Sequence, residues 1–261
     1  MIRMMTRTKM AMTLVAGLAS APLLRADNGS MSVSPAVVML RGEVGQSTTQ
    51  TLMFTNGTSQ SLSFEMKAQD AVVRDGKRVF VEPGTLPGSI AATAAFSPKL
   101  FTVAPGQTMH IDVTITIPPK TSVRAIAVMC QGTTKLGTGP LRMTASVGTL
   151  MTFALSGDVI VVAASPLVVQ APTATSNFIA AQHVANGGTE PLVVTGMLAI
   201  LDANGALVGK QSIPGWRLLP GERSDMRVEY GGDLPSGHYR AQVTYDLTDK
   251  TLTSSADFIV R

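Results

Sequence analysis

One stretch of the chain, residues 96–117, restricts the possible folds more than any other. After the turn Pro105-Gly106, apolar residues occupy every second position, with polar residues between them. The apolar members are Met109, Ile111, Val113, Ile115 and Ile117. This period of two, in mostly β-branched residues, is typical of a strand with one buried face. Proline followed by glycine favours a tight turn, so we expect residues 99–103 and the alternating strand to fold over each other.

A second copy of the pattern, residues 218–230, indicates that the chain contains two similar units. Pro220-Gly221 corresponds to Pro105-Gly106, and Asn186-Gly187 corresponds to Asn56-Gly57. Short strands separated by turns, with no helical period, are typical of antiparallel sandwiches. The sequence therefore predicts an all-β protein of two immunoglobulin-like β-sandwich domains in series, covering residues 27–160 and 161–261.

The first 26 residues differ in character from the rest. Basic residues are followed by an apolar run over residues 10–24 and by Arg25-Ala26. This order predicts a secretory signal peptide, residues 1–26, cleaved after Ala26. A single membrane anchor is the alternative, although the run is shorter than the roughly 20 residues that a bilayer span needs.

The charge balance argues against two classes of partner. The whole chain has 21 basic and 17 acidic residues, and the predicted leader holds four of the basic ones. The remainder is then neutral, with 17 residues of each sign. Because no basic surplus remains to attract phosphate, nucleic acid is not a predicted partner, and neither is an anionic membrane surface.

No pattern of catalytic or metal-binding residues is present. The three histidines, His110, His183 and His238, are far apart and lack ligands at metal-binding spacing. Nucleophile elbows and phosphate-binding glycine loops are missing. Cys130 lies in an apolar run, which predicts a core residue. We therefore predict no enzyme activity, no metal, no cofactor and no small-molecule substrate, and a function in protein binding.

The strand predicted over residues 141–155 is the best candidate for binding. One face is apolar apart from Thr149. The apolar members of that face are Met143, Ala145, Val147, Met151, Phe153 and Leu155. Two interpretations remain open: the whole strand is a core strand, or its first half is an open edge that offers alternate side chains to a partner.

Several motifs in residues 30–158 resemble one family. The stretch from Phe96-Ser-Pro-Lys to Pro105-Gly106-Gln, with the alternation after it, is similar to a segment of the periplasmic chaperones of pilus and fimbria assembly, the chaperone–usher type. Val33-Ser-Pro resembles the first strand of that family. The runs Gly45-Gln-Ser and Phe54-Thr-Asn resemble its second strand, and Asp75-Gly76 its hairpin.

The resemblance implies a function and a site. In this family the last strand of the first domain completes a subunit that lacks a strand. Carried onto this chain, the donated residues are Met143, Ala145 and Val147. The implied partners are secreted pilus, fimbrial or coat subunits and an outer-membrane usher, and the implied location is the periplasm. The alternative function is an exported structural or adhesive immunoglobulin-like module of the cell surface.

The chain departs from the family at one position pair. Typical members hold the carboxylate at the subunit's C-terminus between an arginine and a lysine, and Val38 and Thr152 stand at the matching places here. Neither side chain can pair with a carboxylate. Arg41 or Arg142 is the candidate replacement.

Overall fold

The structure is a computed structural model that describes residues 30–134, 144–247 and 250–261. The predicted leader lies outside the described residues. Within the described ranges the regular structure is β-strand, apart from one short 3-10 helix, Ala91–Thr93. The strands form two sandwiches in series, each with its own hydrophobic core. The predicted all-β fold of two immunoglobulin-like sandwiches is therefore confirmed.

The first sandwich contains ten strands. They are β1 (Met31–Ser34), β2 (Val37–Gly42), β3 (Ser47–Asn56), β4 (Leu62–Arg74), β5 (Lys77–Val81), β6 (Ala95–Ser97), β7 (Leu100–Val103), β8 (Thr108–Thr116), β9 (Ala125–Gly132) and β10 (Ser146–Leu155). One sheet has the order β1-β3-β8-β6. The other has the order β2-β10-β9-β4-β5, and β7 pairs with the first part of β4.

The alternation that predicted β8 has the expected structural result. Ile111, Val113 and Ile115 are fully buried, while the residues between them face outward. On that outer face, side chains pair across to β3: Thr51 Oγ1 donates to Asp112 Oδ1 at 2.7 Å. Cross-strand pairs of this kind stabilise a sheet by a few tenths of a kcal/mol to about 1 kcal/mol each. The buried face therefore fixes the register, and the polar face reinforces it.

The turn at Pro105-Gly106 joins strands of opposite sheets. β7 pairs with β4, whereas β8 pairs with β3 and β6. The two strands therefore fold over each other across the core rather than forming a hairpin. Pro35 lies between β1 and β2, and these two strands also belong to opposite sheets. By contrast, the predicted turn Asp75-Gly76 does close a hairpin, β4–β5.

Aromatic rings fill the centre of the first core. Phe54 and Phe64 have ring centroids 4.4 Å apart, and Phe101 lies 5.6 Å from Phe64. Cys130 is fully buried beside them in the same core, as predicted. The three rings belong to both sheets, so their burial holds the two layers together.

The second sandwich contains eight strands. They are β11 (Val162–Ala164), β12 (Val168–Gln170), β13 (Phe178–Asn186), β14 (Leu192–Asp202), β15 (Leu207–Leu218), β16 (Arg223–Tyr230), β17 (Gly237–Asp246) and β18 (Thr251–Val260). In one sheet, β13 lies between β16 and the two short strands β11 and β12. The other sheet has the order β15-β14-β17-β18. The predicted domain boundary after residue 160 falls in the connection between β10 and β11, and it stays a prediction.

Candidate functional site

β10 is covered on both sides along only part of its length. It pairs antiparallel with β9 from Ser146 to Thr152. On its other side it pairs in parallel with β2, but only from Leu150 to Leu155. Among the described residues, no strand pairs with the second side over residues 146–149. We call this four-residue stretch the open edge.

The direction of the main-chain groups follows from the bonds on either side. Ala145 O accepts from Gly132 N at 3.0 Å, so odd-numbered residues of β10 face β9. Leu150 N donates to Ala36 O at 3.0 Å, on the side of β2. Because these directions alternate along a strand, Ser146 and Gly148 present their N–H and C=O groups at the open edge. An extended peptide could pair with these groups.

The side chains of the open edge alternate as the sequence predicted. Val147 is half-buried and packs against the first core, and Met151 continues that face in full burial. Thr149, the polar exception, is also buried, and its hydroxyl donates to Pro35 O at 2.8 Å. Of the predicted donor residues, Ala145 and Val147 lie on this inner face, and Met143 lies outside the described residues. Their role in binding stays a prediction.

Gly148 is required by close packing with β9. A Cβ at this position would lie 2.3 Å from Met129 Sδ and 2.7 Å from Val128 O. The methionine could move, but the backbone oxygen could not without shifting the strand. The glycine therefore keeps β10 close to β9 within the open edge.

A groove of about 900 Å³ begins beside the open edge. Its lining includes Ser146, Met129, Lys67, Phe96 and Glu82. Charges of both signs line it, because Glu65 and Lys99 also contribute. The groove and the open edge share Ser146, so a chain that pairs with the edge would pass next to the groove.

The proposed anchor Arg41 is already paired. Its Nη2 lies 2.7 Å from Glu190 Oε1 of the second sandwich, although 63% of the arginine side chain is exposed. The pair therefore links the two sandwiches. The other candidate, Arg142, lies outside the described residues.

A cation that the sequence did not suggest contacts Thr152. Arg217 Nη1 donates to Thr152 Oγ1 at 2.8 Å, and the threonine hydroxyl is itself within 3.2 Å of Val38 O. Val38 and Thr152, the positions compared with the family's anchor residues, are thus neighbours. An arginine of the second sandwich contacts this pair through Thr152. Burial, and then the nearby charge of Arg78, lower the pKa of Arg217. No sequence motif marks this residue, because its partner is 65 positions away.

Further contacts fix the junction between the sandwiches. Arg78 Nη2 donates to Glu222 Oε2 at 2.8 Å, and Leu219 N donates to the same oxygen at 2.8 Å. The side chain of Leu219 is buried against Ala71 and Ala125. A small apolar contact surrounded by charged hydrogen bonds therefore joins the domains.

Two findings concern other classes of site. Within residues 30–134, 144–247 and 250–261, no three side chains of His, Cys, Asp or Glu are grouped as a metal site requires. In the same part of the chain, no helix combines the length and the hydrophobicity needed to cross a membrane.

Comparisons with known proteins give structural similarity only. No family model matches the sequence, and no curated protein matches it. The solved structure of the class 5 fimbriae chaperone CfaA is similar over 89% of this chain and 99% of its own, at 14% identity and a TM-score of 0.45. The CsuC–CsuE chaperone–tip adhesion subunit pre-assembly complex of archaic Csu pili from Acinetobacter baumannii is similar over 87% of this chain and 97% of its own, at 8% identity and a TM-score of 0.43. The Salmonella enterica SafA pilin in complex with the SafB chaperone is similar over 88% of this chain and 96% of its own, at 12% identity and a TM-score of 0.41. Over most of its length, the chain thus resembles chaperones of fimbriae.

Proposed function

We propose that this protein is a periplasmic chaperone of the chaperone–usher type that binds secreted pilus, fimbrial or coat subunits. The open edge of β10 is the observation that carries the proposal. Unpaired N–H and C=O groups at Ser146 and Gly148 can bond to a subunit strand, while Val147 and Ala145 offer alternate apolar side chains. An outer-membrane usher would then accept the subunit.

The second half of β10 supports this assignment of roles. The strand pairs with both β9 and β2 from Leu150 to Thr152, and with β2 as far as Leu155, so this half is a fixed platform. A subunit strand that pairs with residues 146–149 would lie in line with β2, on the same side of β10, and would displace no existing strand. Binding would therefore leave the ladder between β9 and β10 intact.

Co-expression with a secreted pilus or fimbrial subunit of the same organism tests the proposal. Ser146→Pro removes one edge N–H and places a ring on the open side, whereas Ser146→Ala is the matched control because it keeps the N–H. Val147→Lys tests the side-chain contribution. We expect S146P and V147K to reduce recovery of folded subunit severalfold, and S146A to leave it unchanged.

Equal recovery of the subunit with wild-type chain, S146P and V147K would refute strand donation. A subunit that is stable without this chain, together with retention of the chain at the cell surface, would favour the structural or adhesive module instead. Cell fractionation distinguishes these outcomes, because a chaperone remains in the periplasmic fraction.

A further inference from the structure

The last strand of the second sandwich, β18, has a free edge along its whole length. It pairs with β17 without interruption, from Thr251 opposite Asp246 to Val260 opposite Gly237. It is the outermost strand of its sheet, and no strand of the described ranges pairs with its other side. In the first sandwich β2 covers half of the corresponding strand, whereas β12 stays in the opposite sheet and pairs with β13.

The bond at the start of the hairpin fixes which groups face the free side. Leu247 N donates to Lys250 O at 3.0 Å, so even-numbered residues of β18 face β17. The odd-numbered residues therefore direct their N–H and C=O groups outward along the sheet. These residues, all exposed, are Thr251, Thr253, Ser255, Asp257 and Ile259.

The edge lacks most of the features by which monomeric proteins prevent strand pairing. Residues 251–260 contain no proline and no lysine, and the register with β17 has no bulge. The only charge is Asp257, whose Oδ1 accepts from Arg240 Nε at 2.7 Å. A long, straight and nearly neutral edge is suited to pairing with another strand.

We propose that β18 is a self-association surface, through which two copies of this chain pair antiparallel about a two-fold axis at Ser255. In that register Thr253 lies opposite Asp257 of the second copy, and Leu252 lies opposite its Phe258. No two carboxylates face each other. The chain already contains the same cross-strand pair, Thr51 with Asp112. The edge is therefore complementary to itself, as a two-fold interface requires.

Sedimentation equilibrium of the whole chain over a concentration series tests this assignment. We expect a monomer–dimer equilibrium. Ser255→Pro removes the central N–H of both copies and should raise the dissociation constant on the order of tenfold or more, whereas Ser255→Ala should change it by less than about twofold.

Moving the carboxylate between two exposed positions provides a second test. Thr253→Asp places two carboxylates opposite each other and should weaken the dimer by a similar factor. The double variant T253D/D257T restores the opposite pairing of hydroxyl and carboxylate, so it should recover most of the affinity. A chain that is monomeric at every concentration overturns the proposal, even if it binds another protein. A dimer that neither S255P nor T253D weakens overturns it as well.

Discussion

Asn56 and Asn186 hold the same turn in the two sandwiches through the same hydrogen bonds. Each is fully or almost fully buried at the end of its strand. Asn56 Nδ2 donates to Gln60 O and Val103 O, at 2.8 and 2.9 Å, and Asn186 Nδ2 donates to Glu190 O and Leu218 O, at 2.8 and 3.2 Å. In both cases Oδ1 accepts from the N–H two residues on.

Loss of either amide should therefore destabilise its own sandwich. Asn56→Ala removes the amide donor from the buried Val103 O and the acceptor of the Thr58 N–H, and we expect the free energy of unfolding to fall by about 1–3 kcal/mol. Asn186→Ala should have a similar effect. Urea denaturation measures both, and exposed Asn204→Ala is the control. An effect no larger than that of the control would show that these bonds contribute little.

The carboxylate of Asp158 predicts an acid-dependent loss of stability. Burial favours its neutral form, but hydrogen bonds from Arg124 and from Leu155 N–H, with the charge of Arg124, outweigh this and lower the pKa. A lowered folded-state pKa stabilises the native protein above the ordinary Asp value and ceases to do so as the pH falls below about 4.

Asp158→Asn should therefore lower the free energy of unfolding by about 1.5–3 kcal/mol at neutral pH and flatten its decline in acid. Denaturation at a series of pH values checks this. Asp257→Asn is the matched control, because its pKa is also lowered by an arginine but the pair is exposed to solvent and screened. The same acid slope in D158N and wild type would contradict the prediction.

Cys130 should react with thiol reagents only when the protein unfolds. Burial raises the pKa of its thiol to about 12, so the reactive thiolate is scarce in the folded state. The chain has one cysteine, so labelling by iodoacetamide is unambiguous. We expect the labelling rate to follow the unfolding rate and to rise sharply across the urea transition. Fast labelling of the native protein would show that the strand opens locally.

Glu222 should control the coupling between the sandwiches. Glu222→Ala removes the partner of Arg78 and leaves Arg78 beside Arg217 without a counter-charge. We expect a loss of about 1–3 kcal/mol from the junction and, in calorimetry, separation of the two melting transitions. Arg240→Ala, which breaks a pair inside the second sandwich that is exposed on both sides, should have a much smaller effect. Equal effects of the two variants would contradict this ranking.

Local features of the fold were predictable because they depend on neighbouring residues. The alternation in β8 determines its buried face, and Asp75-Gly76 determines a hairpin turn. In each case a few adjacent positions contain the information.

Contacts between distant residues were not predictable. Alternation shows which side of β10 is buried, but it does not show that β2 covers only its second half. The pairing of Arg41 with Glu190 and the contact of Arg217 with Thr152 depend on how the two sandwiches are placed against each other. From residue type alone, Arg41 was a candidate anchor for a partner's carboxylate. Only the three-dimensional arrangement shows that it pairs with Glu190.

The parallel pairing of β2 with β10 also sets the order in which the first sandwich can form. The bond from Thr152 to Val38 spans 114 positions, and it links the opening of the domain to its final strand. Contacts of such separation are slow to form because a long loop must close first. During synthesis from the N-terminus, β2 emerges long before β10 exists. The sandwich therefore stays incomplete until its last strand has been made.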